Sequence, residues 1–412
     1  MGAARSLAGR TTTPRVFPTH LPDGALGLCA GACGESRCMF AKHAQGRISR
    51  QAHAHVPEGT FEEHHGRQGF EGEVSQLYHA HPATDWLRVE GPIRPRGIRL
   101  TDVPADDERD ERALPTLLMF NEDITVSVSK RMAPMPYYFR NTDGDTLLLV
   151  QSGSGALVTD YGTLAYGPLE YLVIPKGTNY RTVPDPGTEQ HITYVVETRE
   201  PVTLPERGLL GHFLPFDQGV LDVPRLDAGI SVPSAQNAAG EWEVLVKRAG
   251  ELSSIFYAFD PADVEGWTGT LAPFRLRLAD IRPLTCERLE MPPVAHATFQ
   301  AGQNWFVTMA PRPMQSADDA DKAQPAHRNV DYDELFVFLG TGDGGQVGPP
   351  AGLASVTPAG MNHGPDQVRQ ANPRERLPFY VWNVDTVRPL RYTEAFEAVE
   401  IPDFARQESY RG

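Results

Sequence analysis

Cysteine is scarce, with four in 412 residues, and three of them crowd together at Cys29, Cys33 and Cys38. So few, so clustered, give no disulfide framework, and the expectation is a reducing compartment and a cytoplasmic protein. Cys-x3-Cys-x4-Cys also lacks the paired short spacings of a structural zinc site. No apolar run approaches the roughly 18–20 residues that span a bilayer as a helix. Basic residues are in deficit: 38 Lys and Arg stand against 53 Asp and Glu, for a formal charge of −15. With no Lys/Arg block, nucleic acid and acidic membrane surfaces are excluded as natural partners. Helical periodicity is scarce as well, which excludes an all-α architecture.

What is present fits a soluble, mostly β protein. Apolar residues make up 40%, and Gly (38) and Pro (36) are both frequent. Short β-branched runs alternate with turn signals. The length exceeds one typical domain, so two lobes are expected. Residues 1–42 differ from the rest: Arg5, Arg10 and Arg15 accompany Thr11, Thr12 and Thr13, with no acid before Asp23. The flavour is that of an organelle transit peptide, but Gly and Pro break the segment and it is not amphipathic. It is expected to be a disordered, irregular extension, with Met39 as an alternative start.

Residues 43–100 are rich in histidine: His53, His55, His64, His65, His79 and His81. His-x-His pairs on a strand would share one face and suit a metal. The stretch Glu58–Phe70 looks more like loop and turn, with histidines at the surface or in packing. The acidic run 102–112 is expected to be a solvated loop. Regular strands follow over 114–120, 124–128, 137–150, 156–160, 171–174 and 191–197, the spacing of an antiparallel sandwich or barrel. Residues 198–245 are turn-rich, with Pro215 and Pro233 as breakers, and are expected to connect two lobes. Strand patterning then returns. The Pro-stiffened turn 291–299 leads to a buried strand over 305–309, and a last strand covers 379–385. Phe396 and Phe404 are docking candidates in the acidic tail.

The densest chemistry lies between His327 and His363. Two imidazoles and a carboxylate sit there in a strand–turn–strand context, a donor set that holds Fe(II) and leaves coordination positions open. An internal repeat supports it. Arg140-Asn141-Thr142-Asp143-Gly144-Asp145-Thr146-Leu147 aligns with Arg328-Asn329-Val330-Asp331-Tyr332-Asp333-Glu334-Leu335. Likewise Pro175-Lys176-Gly177-Thr178-Asn179-Tyr180 aligns with Pro358-Ala359-Gly360-Met361-Asn362-His363. In the first copy the ligand positions hold Phe139, Thr146 and Tyr180, none a normal ferrous ligand. The expected organisation is an extension over 1–42, a metal-free lobe over 43–215 and a metal-bearing lobe over 216–412.

His-x-Asn-x4-Glu followed by Pro-x-Gly-x2-His resembles the two motifs of the cupin superfamily, with Asn329 in place of the usual second histidine and no preceding glycine. The chain from about 43 to 390 more narrowly resembles homogentisate 1,2-dioxygenases, especially their bacterial branch. The resembling pieces are Pro57–Phe70, Leu77-Tyr78-His79, Pro292-Pro293-Val294-Ala295-His296, Pro325–Glu334 and His363-Gly364-Pro365. The resemblance implies a bicupin of two β-sandwich or jelly-roll barrel lobes. It implies Fe(II) held by His327, Glu334 and His363, and His296 as the group that contacts the substrate hydroxyl. Glu334 rather than Asp333 is the carboxylate by cupin spacing and by the repeat, since neighbours on a strand face opposite ways. The implied reaction opens the ring of homogentisate with O2 to give maleylacetoacetate, a step of tyrosine and phenylalanine catabolism. The implied partners are a small aromatic acid, O2 and further copies of the chain in a homo-oligomer. Arg328 is a candidate for the substrate carboxylate, but as the strand neighbour of His327 it should point away. Alternative readings are a related dioxygenase acting on gentisate or another hydroxylated aryl acid, a non-enzymatic bicupin, and a sugar-phosphate isomerase-like cupin, which the low basic content disfavours.

Overall fold

The computed structural model describes residues 43–69, 71–207, 210–320, 326–341, 348–364 and 375–404. The extension 1–42, with Cys29, Cys33, Cys38 and Met39, lies outside the described residues. The β-branched runs between Gly and Pro turns become strands, and the fold is mostly β.

Two seven-stranded sheets dominate. The first contains Thr116–Phe120, Ile124–Ser129, Asp145–Ser152, Glu170–Ile174 and Ile192–Thr198, flanked by Phe274–Arg277 and Arg391–Tyr392. It packs on a six-stranded sheet built from Tyr138–Asn141, Gly155–Thr159, Gly162–Tyr166 and Asn179–Pro184 with the hairpin Trp242–Arg248 and Glu251–Tyr257. Alternate residues of both sheets, such as Leu148, Leu172, Val195, Leu157 and Leu164, fill the space between them, as strand periodicity requires. The second seven-stranded sheet contains Ala297–Ala301, Asn304–Met309, Asp333–Gly340, Leu353–Thr357 and Tyr380–Thr386, flanked by Arg96–Arg99 and Val202–Thr203. A three-stranded sheet completes this lobe: Ala326–Asn329 with the hairpin Phe61–Gln68 and Glu71–His79. The architecture is the expected bicupin.

Sheet membership crosses the expected boundary at 215/216. Each half of the chain hands a hairpin and two further strands to the other lobe, Val202–Thr203 and Arg391–Tyr392 among them. Phe61–Gln68 runs parallel to Ala326–Asn329, with His64 opposite His327. Trp242–Arg248 runs parallel to Tyr138–Asn141, with Leu245 opposite Phe139. Arg96–Arg99 pairs with Leu353–Thr357, and Phe274–Arg277 pairs with Glu170–Ile174. The exchange is thus as regular as the repeat itself.

This corrects the expectation of loop over Glu58–Phe70 for its residues 61–68. Phe61–Gln68 is a strand whose buried residues are Glu62, Glu63, His64 and Gly66, so no hydrophobic alternation marks it. The acidic run is also more ordered than expected. Its short helix Asp106–Arg109 buries Asp107, whose carboxylate accepts from Ser129 Oγ at 2.5 Å and Lys130 N at 2.9 Å.

The two large sheets share a core. Leu147, Leu149, Tyr171 and Tyr194 pack with Phe299, Phe306, Leu335 and Trp382. Tyr194 stacks on Trp382 with ring centroids 6.0 Å apart, and Tyr171 OH meets Thr308 Oγ1 at 2.8 Å. Phe396 and Phe404 are buried. No helix among the described residues is long and apolar enough to cross a membrane.

Candidate metal centre

His327 lies in the middle of the strand Ala326–Asn329, Glu334 near the start of Asp333–Gly340, and His363 just after the turn that follows Leu353–Thr357. That turn closes by Met361 N to Pro358 O at 3.2 Å. Gly360 takes φ +83°, the left-handed value that the third position of a type II turn demands and glycine supplies without strain. Gly360 N also donates to Asn329 O at 2.6 Å, and His327 and His363 exchange backbone hydrogen bonds of 2.8 and 2.9 Å. The ladder therefore sets the two imidazoles side by side, with centroids 4.0 Å apart.

The three donors converge. His363 Nε2 is 2.7 Å from Glu334 Oε2 and His327 Nε2 is 4.0 Å from Glu334 Oε1. Among the described residues this is the one group of three or more His, Cys, Asp or Glu donors close enough to hold an ion. Donors sharing one ion at about 2.0–2.2 Å lie within about 4.4 Å of one another, so the donor set and its spacing fit a metal. His363 Nδ1 lies 3.0 Å from Met361 O, which leaves Nε2 for the centre. Burial pushes the Glu334 carboxyl up, but the two imidazoles outweigh it and hold Glu334 below its usual value. Burial pushes His363 down, and Glu334 outweighs it, so His363 rises. An ion would replace that mutual support, with both imidazoles neutral.

The neighbours point elsewhere. Asp333 turns to the opposite face and accepts from Ala359 N and Leu390 N, each at 2.8 Å, which pins the turn. Arg328 pairs with Glu63 at 3.1 Å. Asn329, two residues after His327 and so on the same strand face, is buried with neither amide atom hydrogen-bonded. His296 closes the 3-10 turn Pro293–His296 and is 1% exposed. Neither of its ring nitrogens has a hydrogen-bond partner. Burial, helped by the Arg312 charge, pushes its pKa down to about 3. The structure brings His327, Glu334 and His363 together, and His296 makes no hydrogen bond or ion pair to them.

Residues that the sequence did not single out brace the site. Glu63 is 2% exposed and accepts from Asn362 Nδ2 at 2.7 Å, with His79 Nε2 at 2.6 Å. It thereby ties the exchanged hairpin to the turn that carries His363. Glu62 similarly holds His53 Nδ1 and Tyr78 OH, each at 2.9 Å. The available signal was the run Glu62-Glu63-His64-His65 opposite Tyr78 and His79.

In the other lobe the same ladder positions carry no donor set. Tyr180 faces Phe139 across the strands, and Thr146 Oγ1 accepts from Asn141 Nδ2 at 3.2 Å.

A family profile described as the N-terminal part of homogentisate 1,2-dioxygenase matches residues 120–278. A protein of Saccharolobus solfataricus, provisionally named a dioxygenase, is 26% identical over 344 residues, 79% of this chain and 87% of that protein. Homogentisate 1,2-dioxygenase of Bradyrhizobium diazoefficiens is 25% identical over 378 residues, 85% of this chain and 80% of the relative. The enzyme of that name from Rhodopseudomonas palustris is 26% identical over 284 residues, 65% of this chain and 61% of the relative. The chain is similar to the homogentisate 1,2-dioxygenase family.

The profile match covers most of the donor-free lobe, including its exchanged hairpin and the strand Phe274–Arg277 from the second half. The longer alignments put the chain among cupin dioxygenases, and the His–Glu–His group supplies the place for a metal cofactor that such chemistry requires.

Proposed function

We propose that this chain is an Fe(II)-dependent ring-cleaving dioxygenase that converts homogentisate and O2 to maleylacetoacetate. The carrying observation is the buried convergence of His327, Glu334 and His363 in one lobe, against Phe139, Thr146 and Tyr180 in the other. The relatives' names support homogentisate as substrate.

Ferrous iron on two imidazoles and one carboxylate keeps open positions where an oxygen donor of the substrate and dioxygen can be brought together. The chain's own residues do the rest. Glu334 holds charge in a site that buries it, and the 2.7 Å approach to His363 sets the spacing of two donors. Asp333 and Glu63 fix the two ends of the turn from opposite sides. His296 supplies a neutral imidazole at neutral pH, since burial keeps its pKa near 3. With both ring nitrogens uncommitted, it is available to hydrogen-bond a phenol hydroxyl. The buried Asn329 amide supplies a donor and an acceptor toward the same region.

Oxygen-electrode assays of the purified chain loaded anaerobically with Fe(II) test this reading. Homogentisate should consume oxygen and yield a product absorbing in the near ultraviolet. Turnover of gentisate but not homogentisate would move the substrate assignment, and failure to bind iron would end the oxygenase reading.

A further inference from the structure

The donor-free lobe contains a cavity of about 280 Å³ between its two sheets. It occupies the interior that the repeat equates with the metal-bearing pocket: Phe139 and Tyr180, the counterparts of His327 and His363, both line it. An engineered apolar cavity of about 150 Å³ holds a benzene molecule, so this space takes a substituted ring. The walls are apolar and aromatic, with Leu148, Met135 and Val195 beside Tyr137, Phe139 and Tyr180. The Phe139 and Tyr180 rings meet edge to face, 5.8 Å apart, a geometry that a third ring can join.

The cavity also has polar points. Arg131 lines it and is 2% exposed. Its terminal nitrogens donate to the carbonyls of Glu111 and Ala113. Its Nε lies 3.9 Å from Asp107, beyond hydrogen-bond range, while the oxygens of Asp107 are taken by Ser129 and Lys130. His191 lines the same space; its Nε2 lies 2.9 Å from Tyr166 OH and its buried Nδ1 has no partner. The partly exposed pair Lys247 and Glu197 also borders the space. A buried guanidinium with a donor to spare and an uncommitted imidazole nitrogen, set in an aromatic shell, is how small-molecule sites are built: apolar walls and a few placed polar groups.

We propose that the donor-free lobe is a second small-molecule site, which takes a single-ring aromatic compound carrying an oxygen acceptor, such as a carboxylate or phenol group, beside Arg131. The site stands apart from the metal chemistry of the other lobe, so each can fail without the other.

Calorimetric titration of the full-length His363→Ala chain, whose metal site is broken, with benzoate, phenol and toluene tests this. The expected result is one benzoate or phenol bound per chain, with toluene at least tenfold weaker. Val195→Phe on that background fills the cavity and should weaken benzoate more than tenfold with an unchanged thermal melt. Ser127→Phe, on the same wall, repeats the test should Val195→Phe fail to fold. Arg131→Met should weaken benzoate at least tenfold and leave toluene within twofold. No binding of benzoate or phenol at millimolar concentration, or equal binding in the filled-cavity variant, overturns the site. Equal affinity for toluene and benzoate overturns the acceptor assignment.

Discussion

Tyr180 stands directly across the ladder from Phe139, as His363 stands across from His327. One backbone frame thus presents an imidazole pair in one lobe and an aromatic pair in the other. Metal content should follow the side chains, not the frame. His363→Ala and Glu334→Gln should reduce bound iron after anaerobic loading from about one per chain to near zero, measured by atomic absorption. Tyr180→Phe should leave it unchanged. Equal iron in all four proteins would remove the site from the second lobe.

His296 is buried with both nitrogens unpartnered, a state that costs stability unless a ligand uses it. His296→Gln should keep iron at the wild-type level and lower kcat by roughly tenfold, about the worth of one hydrogen bond to the substrate. Iron titration and steady-state kinetics on the same preparation separate the two effects.

Glu63 acts through Asn362 and Arg328. Glu63→Gln should weaken iron binding by about 10–100-fold, as loss of a ligand-orienting partner does, while the thermal melt of the metal-free protein shifts little. A competition titration with a chelator reads it. An unchanged affinity would reduce Glu63 to a hairpin anchor.

His191 is held neutral by burial, with its pKa lowered to about 4. The unfolded chain takes up a proton near 6.5, so between pH 6.5 and 4 it binds more protons than the folded chain. Stability therefore falls as pH falls through that window, by at most about 1.4 kcal/mol per pH unit for this group. His64, also near 4, acts in the same direction. His191→Gln should flatten the slope of denaturation midpoint against pH across that window. A slope equal to wild type would show that His191 does not contribute.

Trp382 is completely buried and stacks on Tyr194 at the shared core of the two large sheets. Trp382→Ala should cost about 3–5 kcal/mol. It should shift a single unfolding transition, reported alike by calorimetry and circular dichroism. Two separated transitions in the wild type would show that the lobes do not unfold together.

Much of the fold was legible because its strands are apolar runs bounded by turn signals. The Leu147–Val150 run and the Asn304–Met309 strand are buried on both faces, and the Pro358–His363 turn carries its own turn chemistry. The proximity of His327 and His363 follows from the same turn. The hairpin 61–79 was not legible, because the side chains its first strand buries are those of Glu62, Glu63 and His64. Those residues are tolerable inside through Tyr78 and His79 on the second strand of the hairpin and through His53 and Asn362 from outside it. Nor does any local pattern announce a parallel pairing with Ala326–Asn329. The cavity around Arg131 was hidden for a related reason: its lining comes from residues 107 to 250.

The hand-over of the first hairpin also sets a timetable. His65 meets Arg328 263 residues later. At about 5–20 residues per second of synthesis, the hairpin waits roughly 13–50 s for the strand beside which it will lie. Throughout that interval the edge of Phe61–Gln68 has no native neighbour on that side. A ribosome-bound chain is therefore open to wrong strand pairings at its start for much of its synthesis, and its metal centre cannot be assembled before His363 is made.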